Sequence, residues 1–326
     1  MDPIVKIKDL KVFFSIKKGF KTLRIKAVDG VSFSINRGET MGLIGESGSG
    51  KTTIGKVITG LEKATEGSII FVDKNKKSIE LEQKRNLETQ KKIQMIFQDP
   101  YSSLNPRIKV WKLLEEGMKN YKVVPKSEIK DRVIELMKDI GMREDFLDRY
   151  PSELSGGQRQ RIAIARAISV EPEFIVCDEV VSALDVSIQA QILELLKELQ
   201  RKFNLSYLFI THDLAVAEYV SDYILAIYKG KIVEGASASE LISNPLHPYT
   251  KLLLESAKLS NLKKVKKGEK IDWKLISESS KASQDSPCPF FDRCVNRLEI
   301  CRREPSEIAY VSKDHFVVCN LFKNQK

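Results

Sequence analysis

Met41-Gly42-Leu43-Ile44-Gly45-Glu46-Ser47-Gly48-Ser49-Gly50-Lys51-Thr52-Thr53 is the stretch on which the fold turns. Four residues that read as a buried strand run into a glycine-rich turn, and a helical pattern follows over 52–61. The segment from Gly45 to Thr52 fits G-x-x-x-x-G-K-[ST], the spacing that lets successive backbone N–H groups close around phosphates. The next helix points its positive end at the same anion. Lys51 offers a mobile positive charge to the β and γ phosphates, Thr52 a hydroxyl to Mg²⁺, and Thr53 adjoins them. A merely flexible turn has no need of Lys-Thr at its end.

Working outward, Phe174-Ile175-Val176-Cys177-Asp178-Glu179 is a second apolar strand that ends in two carboxylates. Asp178 falls at the C-terminal edge of a parallel strand, where ligands of such sheets bind, and suits a Mg²⁺ ligand. Glu179 is placed to polarise an attacking water. The 326 residues are 42% hydrophobic and 30% charged, which rules out disorder as the main state. No apolar stretch approaches the roughly 18–20 residues needed to cross a bilayer. Met1-Asp2-Pro3-Ile4 lacks a secretory pattern, so the expected compartment is the cytoplasm. A net charge of +10 leaves nucleic acid or an anionic membrane surface open as partners. Five cysteines, an odd count, favour metal or redox chemistry over a disulfide framework.

The chain has no internal repeat. Residues 1–40 alternate as short antiparallel strands. Residues 101–168 carry helical spacing (Trp111, Leu113, Leu114, Met118; Val133, Ile134, Leu136, Met137, Ile140) with Gly141 as a stop. Strand patterns return at 174–177, 207–210 and 223–227, with a helix over 188–203 and another over 238–259. The expected fold is α/β with an antiparallel β subdomain and an α-helical subdomain. Domains are expected at 1–257 (helical subdomain about 101–168), a basic linker at 258–286, and a Cys-rich module at 287–326.

Leu154-Ser155-Gly156-Gly157-Gln158, between the phosphate loop and the acidic strand, opens a helix with a hydroxyl and glycine N–H groups and is itself an anion-binding helix end. With this signature the chain resembles the ATP-binding-cassette proteins, and so the P-loop NTPase core. The resemblance implies a dimer in which Ser155, Gly156, Gly157 and Gln158 close over the ATP held by the other subunit. Gln98, in Met95-Ile96-Phe97-Gln98-Asp99-Pro100, matches the Q-loop glutamine that touches Mg²⁺ or the water. Ser182-Ala183-Leu184-Asp185 matches the D-loop, which puts Asp185 at the subunit interface. His212, in Ile210-Thr211-His212-Asp213, matches the switch histidine at the γ-phosphate. The family's adenine-stacking aromatic lies upstream of the phosphate loop, with Phe20 or Phe14 as candidates. Val180 departs from the family's usual Pro after the catalytic Glu, which would loosen that turn.

Phe97-Gln98-Asp99-Pro100-Tyr101-Ser102-Ser103-Leu104-Asn105-Pro106-Arg107 and Asn244-Pro245-Leu246-His247-Pro248-Tyr249-Thr250 look like the oligopeptide/dipeptide importer ATPases, most like the F-type member of their D/F pair. The likeness runs from about residue 4 to 320. Cys288, Cys294, Cys301 and Cys319 follow as C-x5-C-x6-C-x17-C. These gaps fit iron–sulfur ligation better than a zinc ribbon, with disulfides or an empty site as the other readings. The family's C-terminal motif resembles this run, which implies a [4Fe-4S] cluster. Cys177 reads as a core thiol.

The expected activity is ATP hydrolysis that powers uptake of oligopeptides or dipeptides, with ATP and Mg²⁺. Glu179, His212, Lys51 and Gln98 are the expected catalytic residues. The alternatives are import of oligosaccharides or another solute, or a soluble cassette acting on nucleic acid or the ribosome. One phosphate loop and one signature in a chain without sustained heptads count against the latter, so no nucleic acid is expected. Expected partners are a paralogous D-type ATPase subunit, two transmembrane permeases and an extracellular binding protein, at the cytoplasmic face of the cell membrane. Residues 258–326 hold 15 Lys and Arg against 9 Asp and Glu, +6 of the +10. The cassette itself is therefore only mildly basic.

Overall fold

The computed structural model describes residues 2–18, 21–81, 85–261 and 287–323. The chain forms two compact units, one of residues 1–10, 32–41 and 52–210, the other of 11–31, 42–51 and 211–326. Strands β1 (Pro3–Lys18), β2 (Lys21–Asn36) and β3 (Thr40–Ile44) each contribute to both. Residues 1–40 thus form two 16-residue strands and not several short ones. Asp9 (φ 45°) and Gly30 (φ 81°) are left-handed kinks inside continuous strands.

The first unit continues through α1 (Lys51–Thr59), β4 (Glu66–Val72), β5 (Ser78–Glu80), α2 (Leu87–Lys92), β6 (Ile93–Ile96), α3 (Pro100–Ser103), α4 (Val110–Asn120), α5 (Ile129–Asp139), α6 (Gly156–Ile168), β7 (Phe174–Asp178), α7 (Val186–Phe203) and β8 (Ser206–Thr211). β6, β7 and β8 are parallel neighbours, with Ile93 opposite Phe174 and Phe174 opposite Ser206. Every residue of β7 and β8 is buried, as expected of parallel strands covered on both faces. β4 and β5 pair antiparallel. α4 buries Leu113, Leu114 and Met118, α5 buries Val133, Leu136 and Met137, and α4 packs on both α5 and α6. Gly141 (φ 64°) ends the second of these stripes, its N–H donating to the Lys138 carbonyl at 3.0 Å.

The second unit adds α8 (Leu214–Val220), β9 (Tyr223–Tyr228), β10 (Lys231–Ser237), α9 (Ala238–Ser243), α10 (Pro248–Asn261), α11 (Ile300–Arg303), β11 (Ile308–Ser312) and β12 (His315–Val318). Helix 238–259 is broken in two. Asn244 caps the first half and Pro248 starts the second, because proline fits a helix start and not its middle. The strands run β9-β10-β12-β11, all antiparallel, with Glu234 opposite Val317 and Ile308 opposite Val318. Residues 308–318 are therefore stitched into a sheet begun by β9 and β10. At that seam Glu234, fully buried, accepts from the N–H groups of Leu246 (2.7 Å) and His247 (2.9 Å) and meets His315 Nε2 at 2.8 Å. Three partners offset the cost of burying the carboxylate. Residues 262–286, most of the expected linker, lie outside the described residues. Among the described residues no helix is long and apolar enough to cross a membrane.

Candidate functional site

In the second unit the loop from Gly45 to Gly50 is shaped by close backbone approach. A Cβ on Gly50 (φ 105°) would lie 2.2 Å from the Ala27 carbonyl oxygen, so only glycine fits. The Gly230 N–H donates to the Ser49 carbonyl at 2.9 Å and braces the turn from behind. Lys51 is buried, and its Nζ donates to the carbonyls of Gly45 (2.7 Å) and Glu46 (2.9 Å). Glu46 is held from outside the loop as well. Its N–H donates to the Tyr249 hydroxyl at 2.9 Å, and its carboxylate accepts both guanidinium NH groups of Arg293 at 2.9 Å. Ser49 Oγ is buried and makes no hydrogen bond, an orphaned polar atom in a loop whose neighbours are anion donors. His212 is exposed just before α8, which Asp213 caps by accepting from the N–H groups of Ala215 and Val216.

In the first unit Thr52, second residue of α1, donates through Oγ1 to Asp178 Oδ1 at 2.9 Å. Asp178 is buried at the end of β7. This hydroxyl and carboxylate are hard oxygen donors of the kind Mg²⁺ takes. Glu179 follows in a left-handed conformation (φ 47°), its N–H donating to the Ile210 carbonyl at 2.9 Å and its Oε2 accepting from Gln98 Nε2 at 2.8 Å. Val180 is buried, and Ser182 closes the turn where proline would have stiffened it, with its N–H (3.1 Å) and Oγ (3.0 Å) both on the Glu179 carbonyl.

The signature segment is a reciprocal cap on α6. Gln158 N–H donates to Ser155 Oγ (3.3 Å) and Ser155 N–H to Gln158 Oε1 (2.9 Å). A Cβ on Gly157 would stand 2.6 Å from Ile188 Cγ2, so this glycine admits α7, while Gly156 faces Leu184. Asp185, at the N-cap of α7, is exposed and makes no side-chain capping bond. Gln189 instead holds that turn, donating to the carbonyls of Val181 and Leu184. Phe14 is half-exposed, and Phe20 lies outside the described residues.

Sequence reasoning overlooks three residues that the structure brings to these segments. Arg159 is buried, stacks 3.7 Å from the Tyr101 ring centroid, donates to that residue's hydroxyl and to the Leu154 carbonyl, and so ties the signature to the segment after Gln98. Tyr249 and Arg293 reach Glu46 across 203 and 247 residues of chain, a distance no local pattern spans. For Arg159 the only signal was its place, one residue past the signature, and it was masked by Gln160, Arg161 and Arg166 in the same helix.

The iron–sulfur expectation for Cys288, Cys294, Cys301 and Cys319, and its zinc alternative, are corrected. All four border one small cavity with Pro248, Phe290, Phe291 and Leu321. Even so, among the described residues no group of three or more His, Cys, Asp or Glu is placed to hold a metal ion, and no disulfide joins the cysteines. Burial raises the thiols of Cys288 and Cys294 and pushes Cys319 up to about 11. Cys288 and Cys294 pack against the cluster of Tyr228, Tyr249 and Phe290 as small apolar side chains. Burial likewise raises Cys177, a core thiol.

The ABC transporter family model matches residues 28–182, and the model for the C-terminal region of oligopeptide/dipeptide transporters matches 233–301. The oligopeptide transport ATP-binding protein OppF of Bacillus subtilis is 51% identical over 98% of this chain and 96% of its own length. AppF of the same organism is 43% identical over 98% of both, and the dipeptide transport ATP-binding protein DppF of Haemophilus influenzae 40% identical over 97% and 96%. Among solved structures, cbiO1 of Clostridium perfringens, part of the ABC transporter complex cbiONQ, aligns with a TM-score of 0.64 at 26% identity, over 81% of this chain and all of that one. The cassette MJ0796, dimeric and bound to ADP and Pi, aligns at 0.61 and 29% identity, over 72% and 98%.

Proposed function

The chain belongs to the oligopeptide/dipeptide family of ABC transporter ATP-binding proteins and is an ATPase, and from that premise we infer how its residues work. It is the ATP-hydrolysing subunit that powers import of oligopeptides or dipeptides. The observation that carries the catalytic reading is the 2.9 Å bond from Thr52 Oγ1 to Asp178 Oδ1, which joins the start of the loop's helix to the acidic strand.

Glycine-loop N–H groups, the Ser49 hydroxyl and Lys51 bind the triphosphate, and Thr52, Gln98 and Asp178 would hold Mg²⁺, which when bound would supply positive charge against the phosphates. Glu179 accepts a hydrogen bond from the attacking water and takes its proton as the oxygen bonds to the γ-phosphorus and the bridging bond to ADP breaks. Gln98, already bonded to Glu179, aims that carboxylate, and His212 stabilises charge on the γ-phosphate. Ser155 to Gln158 complete the site of a second ATPase subunit, a paralogous D-type chain, with Asp185 at the interface. The dimeric MJ0796 cassette supports such pairing. A groove of about 430 Å³ lined by Phe97, Leu104, Tyr121 and Arg166 supports a permease contact next to the Q-loop. The assembly would work at the cytoplasmic face of the membrane, with two permeases and an external binding protein that selects the cargo.

The test is Glu179→Gln. Turnover should be abolished while ATP-dependent pairing persists; unchanged hydrolysis refutes the role. Co-purification should bring down permeases, whereas salt-sensitive DNA or RNA binding would sink the transport reading.

A further inference from the structure

We propose that Arg293 is a positioning residue for the phosphate loop: it neutralises Glu46 and keeps that carboxylate from opposing the phosphates of a nucleoside triphosphate. This rests on the nucleotide-site reading above and deepens it.

Glu46 is the one acidic side chain between Gly45 and Thr52, in a loop whose other groups favour anions. Left alone, its charge would work against the ligand. Arg293 meets it with two parallel bonds of 2.9 Å, the fork geometry that suits a carboxylate. The guanidinium is well placed to persist. Its side chain is 8% exposed, it lies 5.7 Å from the Tyr228 ring centroid and 5.6 Å from that of Phe290, and its backbone N–H donates to the Phe290 carbonyl. The Glu46 carboxylate holds the guanidinium above its ordinary range, against the burial that pulls it down. The Glu46 peptide is gripped too, its N–H by Tyr249 and its carbonyl by Lys51 Nζ. Fixing the side chain therefore fixes the turn that carries the Lys51 acceptors. Through Arg293 the segment around Cys288 and Cys294 reaches the nucleotide loop without touching the reacting atoms.

MgATP binding to the full chain is measured by fluorescence of a labelled ATP, with Glu179→Gln throughout to stop turnover. Arg293→Ala should weaken binding about 5- to 20-fold, and Arg293→Lys, which keeps charge but not the fork, less. Adding Glu46→Gln to Arg293→Ala should restore affinity to within about twofold of Glu46→Gln alone, because the charge to be neutralised is gone. In the active enzyme KM for ATP should rise while kcat stays within about twofold. Undiminished affinity in Arg293→Ala, or a loss that Glu46→Gln fails to restore, would overturn the proposal and leave Arg293 a scaffold residue. If the alanine variant does not fold, Arg293→Gln carries the same comparison. A Glu179→Gln parent that binds no MgATP would instead overturn the nucleotide-site reading itself.

Discussion

The phosphate loop and the signature segment are both glycine-rich entries to a helix, yet they are built on opposite terms. In the phosphate loop glycine is required by backbone conformation, as Gly50 shows, and the turn is held by its own Lys51 and by Tyr249 and Arg293 from far along the chain. In the signature glycine is required by a neighbour: Gly157 leaves room for Ile188, and the helix end caps itself through Ser155 and Gln158. A self-capped end already has an acceptor for the Gln158 N–H. What Ser155 can still offer outward is its own hydroxyl proton, since a hydroxyl accepts and donates at once. On the function proposed above, one end would hold an anion by itself and the other would complete a site held elsewhere.

The contrast can be broken at its strongest point. Lys51→Ala should lower hydrolysis about 10²- to 10³-fold and remove nucleotide binding by the single chain. Ser155→Ala should leave single-chain binding intact and depress turnover only where subunits pair. Phosphate release and equilibrium binding, run side by side, decide it; loss of single-chain binding in Ser155→Ala would erase the distinction.

A second prediction concerns the phosphate loop's outside support. His247 is buried and neutral, its Nδ1 accepting the Tyr249 N–H at 3.0 Å, and burial lowers it to about 4 from an ordinary value near 6.5. The unfolded chain takes up this proton first, so the His247 contribution is complete above pH 6.5 and is lost as pH falls through 4. The loss is on the order of 3 kcal/mol. Melting temperature followed from pH 7 to 4 should fall less steeply in His247→Asn than in the parent. Equal slopes would remove His247 from the support.

Smaller effects probe the signature. Gly157→Ala pushes a methyl group against Ile188 and should cost about 1–3 kcal/mol, read as a lower denaturation midpoint. Gln158→Ala removes half of the reciprocal cap and should cost only about 0.5–1 kcal/mol. A larger loss there would mean that Gln158 holds more than the helix end.

Those residues also show what could be read in advance. The phosphate loop, the acidic strand at 174–179 and the signature were legible because each packs its chemistry into a few consecutive residues. The Ser155-x-x-Gln158 cap was equally open to reading and was hidden by the stronger family pattern. The break at 244–247 lay in plain view as Pro245 within it and Pro248 directly after it, overlooked because the apolar spacing runs on across them. Glu46–Arg293 and Glu234–His315 were illegible, since pairs so far apart form only when the sheet is folded. The cysteine spacing misled because spacing counts residues, while metal binding depends on how the thiols are set in space: the four border one cavity, yet among the described residues no three are placed to hold an ion.

The seam between β10 and β12 sets an order of events during synthesis. His315 is made 81 residues after Glu234, an interval of about 4–16 s at roughly 5–20 residues per second. Until then β10 is paired only with β9, and its other margin is an open edge able to capture a foreign strand. Glu234 waits through the same interval for His315, although its other two partners, the Leu246 and His247 N–H groups, follow it by only 12 and 13 residues. The last strands to be made thus close an edge that the earlier ones leave open.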